Sequence, residues 1–140
     1  MDPLRPGTDT EEYKCWAVNS RSQRNSIFAM NHPTHTTLRS RRNWYIHSCY
    51  TSGDYKSCLA AIEEELVACA GLCEYPIYCK GLIMRHQGKV KESLQYFQAA
   101  TSLSPHNVLN LKQVARSLYL LGKHRAAVDV YEETTKLGFE

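Results

Sequence analysis

The chain has 140 residues, enough for one ordinary domain, and its 43% hydrophobic fraction permits a packed core. No run approaches the roughly 18 apolar residues of a membrane-spanning helix, and the first residues, "MDPLRPGTDTEEYKCW", lack the apolar core of a secretory leader, so a cytosolic chain is expected. The net charge of +3 lies in residues 1–42, with seven Lys/Arg against four Asp/Glu; the remaining residues carry ten of each. That neutral body excludes the basic stripe of a nucleic-acid binder.

In chain order, residues 1–38 read as a disordered arm. Pro3, Pro6, Gly7 and Pro33 punctuate it, "NSRSQRNS" is polar, and its apolar residues follow no period. A short helix around Glu11 to Val18 is the one element expected there. From about residue 40 the pattern becomes helical, with helices expected near 41–51, 55–70, 74–87, 90–102, 107–121 and 124–137. "SGDY" and "SPHN" read as turns, and the run Glu63 to Glu65 as a solvated stretch of helix.

Three glycines organise this region. Gly53, Gly88 and Gly122 each precede a polar residue and a restarting helical pattern, and they lie 35 and 34 residues apart. A period of about 34 residues is that of the tetratricopeptide repeat, a helix–turn–helix unit. Its slots hold Ile77, Lys80, Gly81, Met84, Ser93, Phe97 and Pro105 in the second repeat. In the third they hold Leu111, Val114, Ala115, Leu118, Ala127 and Tyr131. The first repeat, with Arg42, Tyr45, Ile46, Cys49, Cys58 and Ile62, is degenerate, and Lys80 is the main misfit of the second. The fold expected is an all-α tetratricopeptide-repeat solenoid of about three helical hairpins, at 39–72, 74–107 and 108–140, behind a disordered arm at 1–38. Small residues at Gly81, Ala115 and Ala127 let paired helices approach, and Phe97 and Tyr131 are the large residues expected to pack beside them.

The chemistry-bearing residues do not assemble into a catalytic set. The six cysteines, Cys15, Cys49, Cys58, Cys69, Cys73 and Cys79, read as small apolar residues in a reducing compartment. Cys69 and Cys73 would be helical neighbours and a possible pair of zinc ligands, but no His/Cys set at finger spacing completes a site. His47, His86 and His124 lack partners for nucleophilic or acid–base work, and no glycine-rich phosphate loop is present. An enzyme, a cofactor, a metal and a small-molecule substrate are therefore not expected. The expected working surface is the groove lined by the first helix of each hairpin, where Asn110, Lys112, Gln113 and Arg116 offer polar contacts to an extended or helical partner segment. Each has a plainer reading as a solvated side chain, and Asn110 also as a helix-start residue bonding backbone.

Three segments carry more than a generic repeat: "NWYIHSCYTSGDYKSCLAAIEEEL", "GLCEYPIYCKGLIMRHQGKVKESLQYFQ" and "NLKQVARSLYLLGKHRAAVDVYEE". In order, over residues 42 to 137, they resemble the N-terminal repeats of the Bardet–Biedl syndrome 4 family, the tetratricopeptide subunit of the BBSome, a membrane-trafficking coat of the primary cilium. The resemblance implies a non-enzymatic protein–protein scaffold in ciliary trafficking and cilium assembly. It implies other BBSome subunits as partners, with centriolar-satellite scaffold and dynein–dynactin components, and neither nucleic acid nor direct membrane insertion. The location implied is cytoplasm and cytoskeleton: centrosome, centriolar satellites, ciliary base and cilium. Residues 1–38 do not share the resemblance, and the family continues through many more repeats, so a fragment, a short isoform or a truncated gene product without independent function is the alternative. A chaperone-tail adaptor is a further alternative, but its clamp needs Lys and Asn in the first helix and basic residues in the third, and those positions hold Asn43 and His47, and Leu109 and Gln113.

Overall fold

The computed structural model describes the backbone of residues 33–138 and the side chains of residues 41–138. Residues 1–32 of the disordered arm expected at 1–38, with the short helix expected at Glu11 to Val18, lie outside the described residues. Six helices follow in order: α1 (Pro33–Thr51), α2 (Tyr55–Ala68), α3 (Glu74–His86), α4 (Val90–Leu103), α5 (Val108–Leu120) and α6 (His124–Gly138). The six helices expected from residue 41 onward are all present, with one correction. The first begins at Pro33, not near residue 41, so residues 33–38 are helical and do not belong to an arm. Proline is tolerated there because the first helical turn has no intrahelical use for its missing N–H.

The three glycine turns share one geometry. Gly53, Gly88 and Gly122 take φ of 78°, 82° and 78°, the left-handed region that a side chain would strain. In each turn the glycine N–H donates three residues back, to Tyr50, Arg85 and Tyr119 carbonyls. The next N–H donates five residues back: Asp54 to Cys49 at 3.1 Å, Lys89 to Met84 at 2.9 Å and Lys123 to Leu118 at 3.0 Å. This double closure satisfies carbonyls orphaned at the helix end and reverses the chain in three residues. Asp54 then starts α2 by accepting from the Ser57 N–H at 3.1 Å, and Asn107 starts α5 by accepting from the Leu109 N–H at 3.1 Å.

Each helix packs on the next, and α1 also reaches α3. Two apolar clusters result. The first joins α1, α2 and α3 through Ile46, Cys49, Cys58, Ile62, Cys79, Ile83 and Met84; the second joins α4, α5 and α6 through Leu94, Phe97, Val114, Leu118, Ala126 and Ala127. Tyr78 packs against both. The degenerate first repeat is thus packed at Ile46, Cys49, Cys58 and Ile62, all buried, while Tyr45 in the same helix is 52% exposed.

Among the small-residue positions, Gly81 shows the tightest approach. A Cβ placed there would lie 2.8 Å from Phe97 Cε1, so hydrogen is the only side chain that fits against this ring. Ala115 and Ala127 are buried as well. Tyr131, at a packing slot of the third repeat, is 42% exposed, because the face of α6 that carries it and Val128 has no helix beyond it among the described residues. Lys80, the misfit, is accommodated at the helix surface. Its ammonium pairs with Glu63 and lies 5.1 Å from the Tyr96 ring centroid, so the aliphatic stem is covered while the charge keeps partners.

Two sequence expectations about α2 are corrected. Glu63 to Glu65 is not a solvated run, since Glu65 is 3% exposed and takes Arg42 at 2.7 Å. The cysteines are not all free thiols: Cys69 and Cys73 form a disulfide, while Cys49, Cys58 and Cys79 are buried and free. Cys69 caps the end of α2 and Cys73 the start of α3, which sets their Cα atoms 6.0 Å apart, a separation that a disulfide spans.

Candidate functional site

The first helices of the three hairpins, α1, α3 and α5, contribute a connected strip of polar and aromatic side chains. His47 Nδ1 and Tyr75 Oη are 2.8 Å apart, and the Tyr75 ring stacks on Tyr78 at 6.4 Å between centroids. Gln113 Nε2 donates to Tyr78 Oη at 3.3 Å, and Arg85 Nη2 donates to Gln113 Oε1 at 2.5 Å. Helical spacing explains the strip: Tyr75, Tyr78 and Arg85 stand three and seven residues apart on α3, and Gln113 and Arg116 stand three apart on α5.

Arg85 is the unusual member. Its guanidinium lies 5.1 Å from the Phe97 ring centroid, and its Nη1 is buried without a hydrogen-bond partner. Burial lowers its pKa, and the neighbouring Arg116 cation lowers it further. Arg42 and Lys80 are paired with Glu65 and Glu63, whereas the charged groups that act on Arg85 are Arg116 and tyrosines, with no carboxylate among them. Two adjacent cations, one with a spare donor, favour a negatively charged group brought by a partner.

The four groove residues named from sequence part company here. Gln113 and Arg116 belong to the strip. Lys112 is exposed, one helical turn before Arg116. Asn110 is not a groove residue: it is 1% exposed and its Nδ2 donates to Glu74 Oε1 at 2.6 Å. Glu74, at the start of α3, also accepts from Asn107 Nδ2 at 2.5 Å and Ser104 Oγ at 2.5 Å. This one carboxylate ties the second hairpin's first helix to the turn that opens the third. The helix N-terminus favours its charge. Sequence reasoning missed both Arg85 and Glu74. Neither occupies a repeat slot, and each acquires its role only from side chains about thirty residues away.

The buried free thiols are chemically quiet. Burial pushes Cys58 and Cys79 up to about 11 from an ordinary 9.0. Cys58 Sγ donates to the Ile46 carbonyl at 3.5 Å. Tyr75 is raised by the same burial and by its contact with Cys79. Because the unfolded chain loses these thiol protons first, their contribution to stability is complete below about pH 9 and fades as pH rises toward 11. Iodoacetamide at neutral pH should therefore leave Cys58 and Cys79 unmodified in the folded chain and label them only after denaturation. Peptide mass spectrometry reads both states, and native labelling of either residue would show that the core is open.

Three glycine-hinged hairpins, stacked in sequence with a polar strip along their first helices, define a tetratricopeptide-like helical solenoid. No protein-family model matches the chain. It is similar, however, to proteins named BBSome complex member BBS4: 56% identical over 100 residues to that of Xenopus tropicalis and 54% over 100 residues to that of Bos taurus, in each case 71% of this chain and 19% of the relative. The BBS4 homolog of Drosophila melanogaster is 32% identical over 91 residues, 65% of this chain and 18% of the relative. Over this stretch the chain is a relative of the BBS4 proteins, and it spans about a fifth of the length of the curated relatives it matches.

Proposed function

We propose that the chain is a non-enzymatic scaffold that contributes to a BBSome-type assembly in ciliary membrane-protein traffic and cilium assembly. The observation that carries this reading is the 54–56% identity to BBSome complex members over the hairpins that build the strip. Its partners are other BBSome subunits, with centriolar-satellite scaffold and dynein–dynactin components as further candidates. Its place is the ciliary base, the cilium and the centrosomal region. The strip supports an acidic partner segment, received by Arg85 and Arg116 and flanked by Lys112. Rim charges of this kind act through encounter rate and orientation and weaken with salt.

The test is affinity capture of the tagged chain from ciliated cells, with partners identified by mass spectrometry. BBSome subunits should be recovered, and Lys112→Glu with Arg116→Glu should cut that recovery at least about fivefold, consistent with 1 kcal/mol or more at a charged contact. Both residues are exposed, so the circular dichroism spectrum should not change. Recovery of general chaperones alone would overturn the proposal and favour a truncated product whose contacts belong to a longer protein.

A further inference from the structure

Outside the polar strip, one group of side chains gathers metal-ligating atoms. Glu65, Cys69 and Cys73 meet at the junction of the first and second hairpins, with one ligand atom from each lying within 4.8 Å of the others. Glu65 Oε1 is 3.1 Å from Cys69 Sγ and 4.0 Å from Cys73 Sγ. Its other oxygen, Oε2, is held by Arg42 at 2.7 Å. Glu65 and Cys73 are 3% and 1% exposed, whereas Cys69 keeps partial access to solvent. The backbone is shaped to bring the three together. Glu65 is in the last turn of α2, and Ala70 and Gly71 both take positive φ, 51° and 75°, which returns the chain to Cys73 within one short turn.

We propose that, once the Cys69–Cys73 disulfide is reduced, the two thiolates and Glu65 bind one divalent cation of the zinc class, and that the disulfide is the metal-free alternative of the same site. The donor set decides the class of metal. Two sulfurs and one carboxylate oxygen suit zinc, whereas calcium and magnesium require oxygen ligands. Ligand atoms around a tetrahedral zinc stand about 3.3–3.8 Å apart, and Glu65 Oε1, at 3.1 Å and 4.0 Å from the two sulfurs, already brackets that range. Charge also balances. Two thiolates and a carboxylate carry three negative charges, offset by the divalent ion and the Arg42 guanidinium. A fourth position is left for water. Reduction by a dithiol passes two electrons to the disulfide, giving two protein thiols and the oxidised dithiol; metal binding then releases the two thiol protons. Metal would cross-link the end of α2 to the start of α3 as the disulfide does, so both states hold the first two hairpins together.

The test uses the full chain, reduced with a phosphine and titrated anaerobically with cobalt(II) as a spectroscopic stand-in for zinc. One equivalent should produce thiolate-to-cobalt absorption that zinc displaces. The Cys69→Ser, Cys73→Ser double variant should lose this absorption although Cys15, Cys49, Cys58 and Cys79 remain. Glu65→Gln should keep it but weaken binding at least about tenfold, since loss of even a partner that only orients a ligand has that effect. The oxidised wild-type chain, whose fold is undisturbed, should show no band, which frees the result from any instability of the variants. No band from the reduced wild-type chain, or a band that survives oxidation, would overturn the proposal.

Discussion

Phe97→Ala should be the most damaging single truncation in the molecule, costing about 3–5 kcal/mol in an equilibrium unfolding measurement. The ring is fully buried. It fills the hollow over Gly81, receives the edge of Tyr78 at 5.8 Å between centroids and lies under the Arg85 guanidinium. Its removal opens a cavity between α3 and α4 and takes away the surface on which Arg85 rests. A stack of three repeats is about the minimum that is stable, so a loss of this size should leave the second hairpin largely unfolded at room temperature. A double-mutant cycle checks the geometry. Gly81→Ala alone should destabilise, because its Cβ meets the ring, whereas in the Phe97→Ala background the same change should be nearly neutral or favourable. Equal effects in both backgrounds would mean that residues 81 and 97 do not touch.

Ala127→Glu should unfold the third hairpin. Ala127 is 2% exposed and belongs to the cluster with Val114 and Leu118 on the facing helix. A carboxylate there loses its hydration and finds no cation in that cluster, a cost of several kcal/mol that the chain would avoid by separating α5 from α6. Far-ultraviolet circular dichroism should show lost helix and a lowered melting temperature. Because Ala127 lies in the cluster of α4, α5 and α6, the cluster of α1, α2 and α3 should survive better. Hydrogen exchange, residue by residue, would show that difference. An unchanged melt would contradict the packing of α5 on α6.

The helical hairpins were legible in the sequence because their determinants are local. Gly53, Gly88 and Gly122 sit where only a left-handed residue closes the turn, and the apolar period along each helix fixes which face is buried. Gly81 and Phe97 were legible as packing residues for the same reason, since the repeat places them at recurring slots. Residues whose surroundings come from other helices were not. Asn110 reads as a surface polar residue until Glu74, thirty-six positions earlier, is brought against it. Glu65 looks like one of three solvated carboxylates until Arg42 folds over it and the turn at Ala70 and Gly71 brings up two cysteines. Arg85 occupies no motif, and its orphaned donor exists only because Phe97 and Gln113 surround it. The sequence by itself determined the repeat, its turns and its buried stripe, since these depend on backbone conformation and helical period within a few residues. The tertiary structure alone decided which polar groups are solvated, which are paired and which are left with a donor to offer, since burial and charge partnership are set across helices whose contacts are not written in any local spacing.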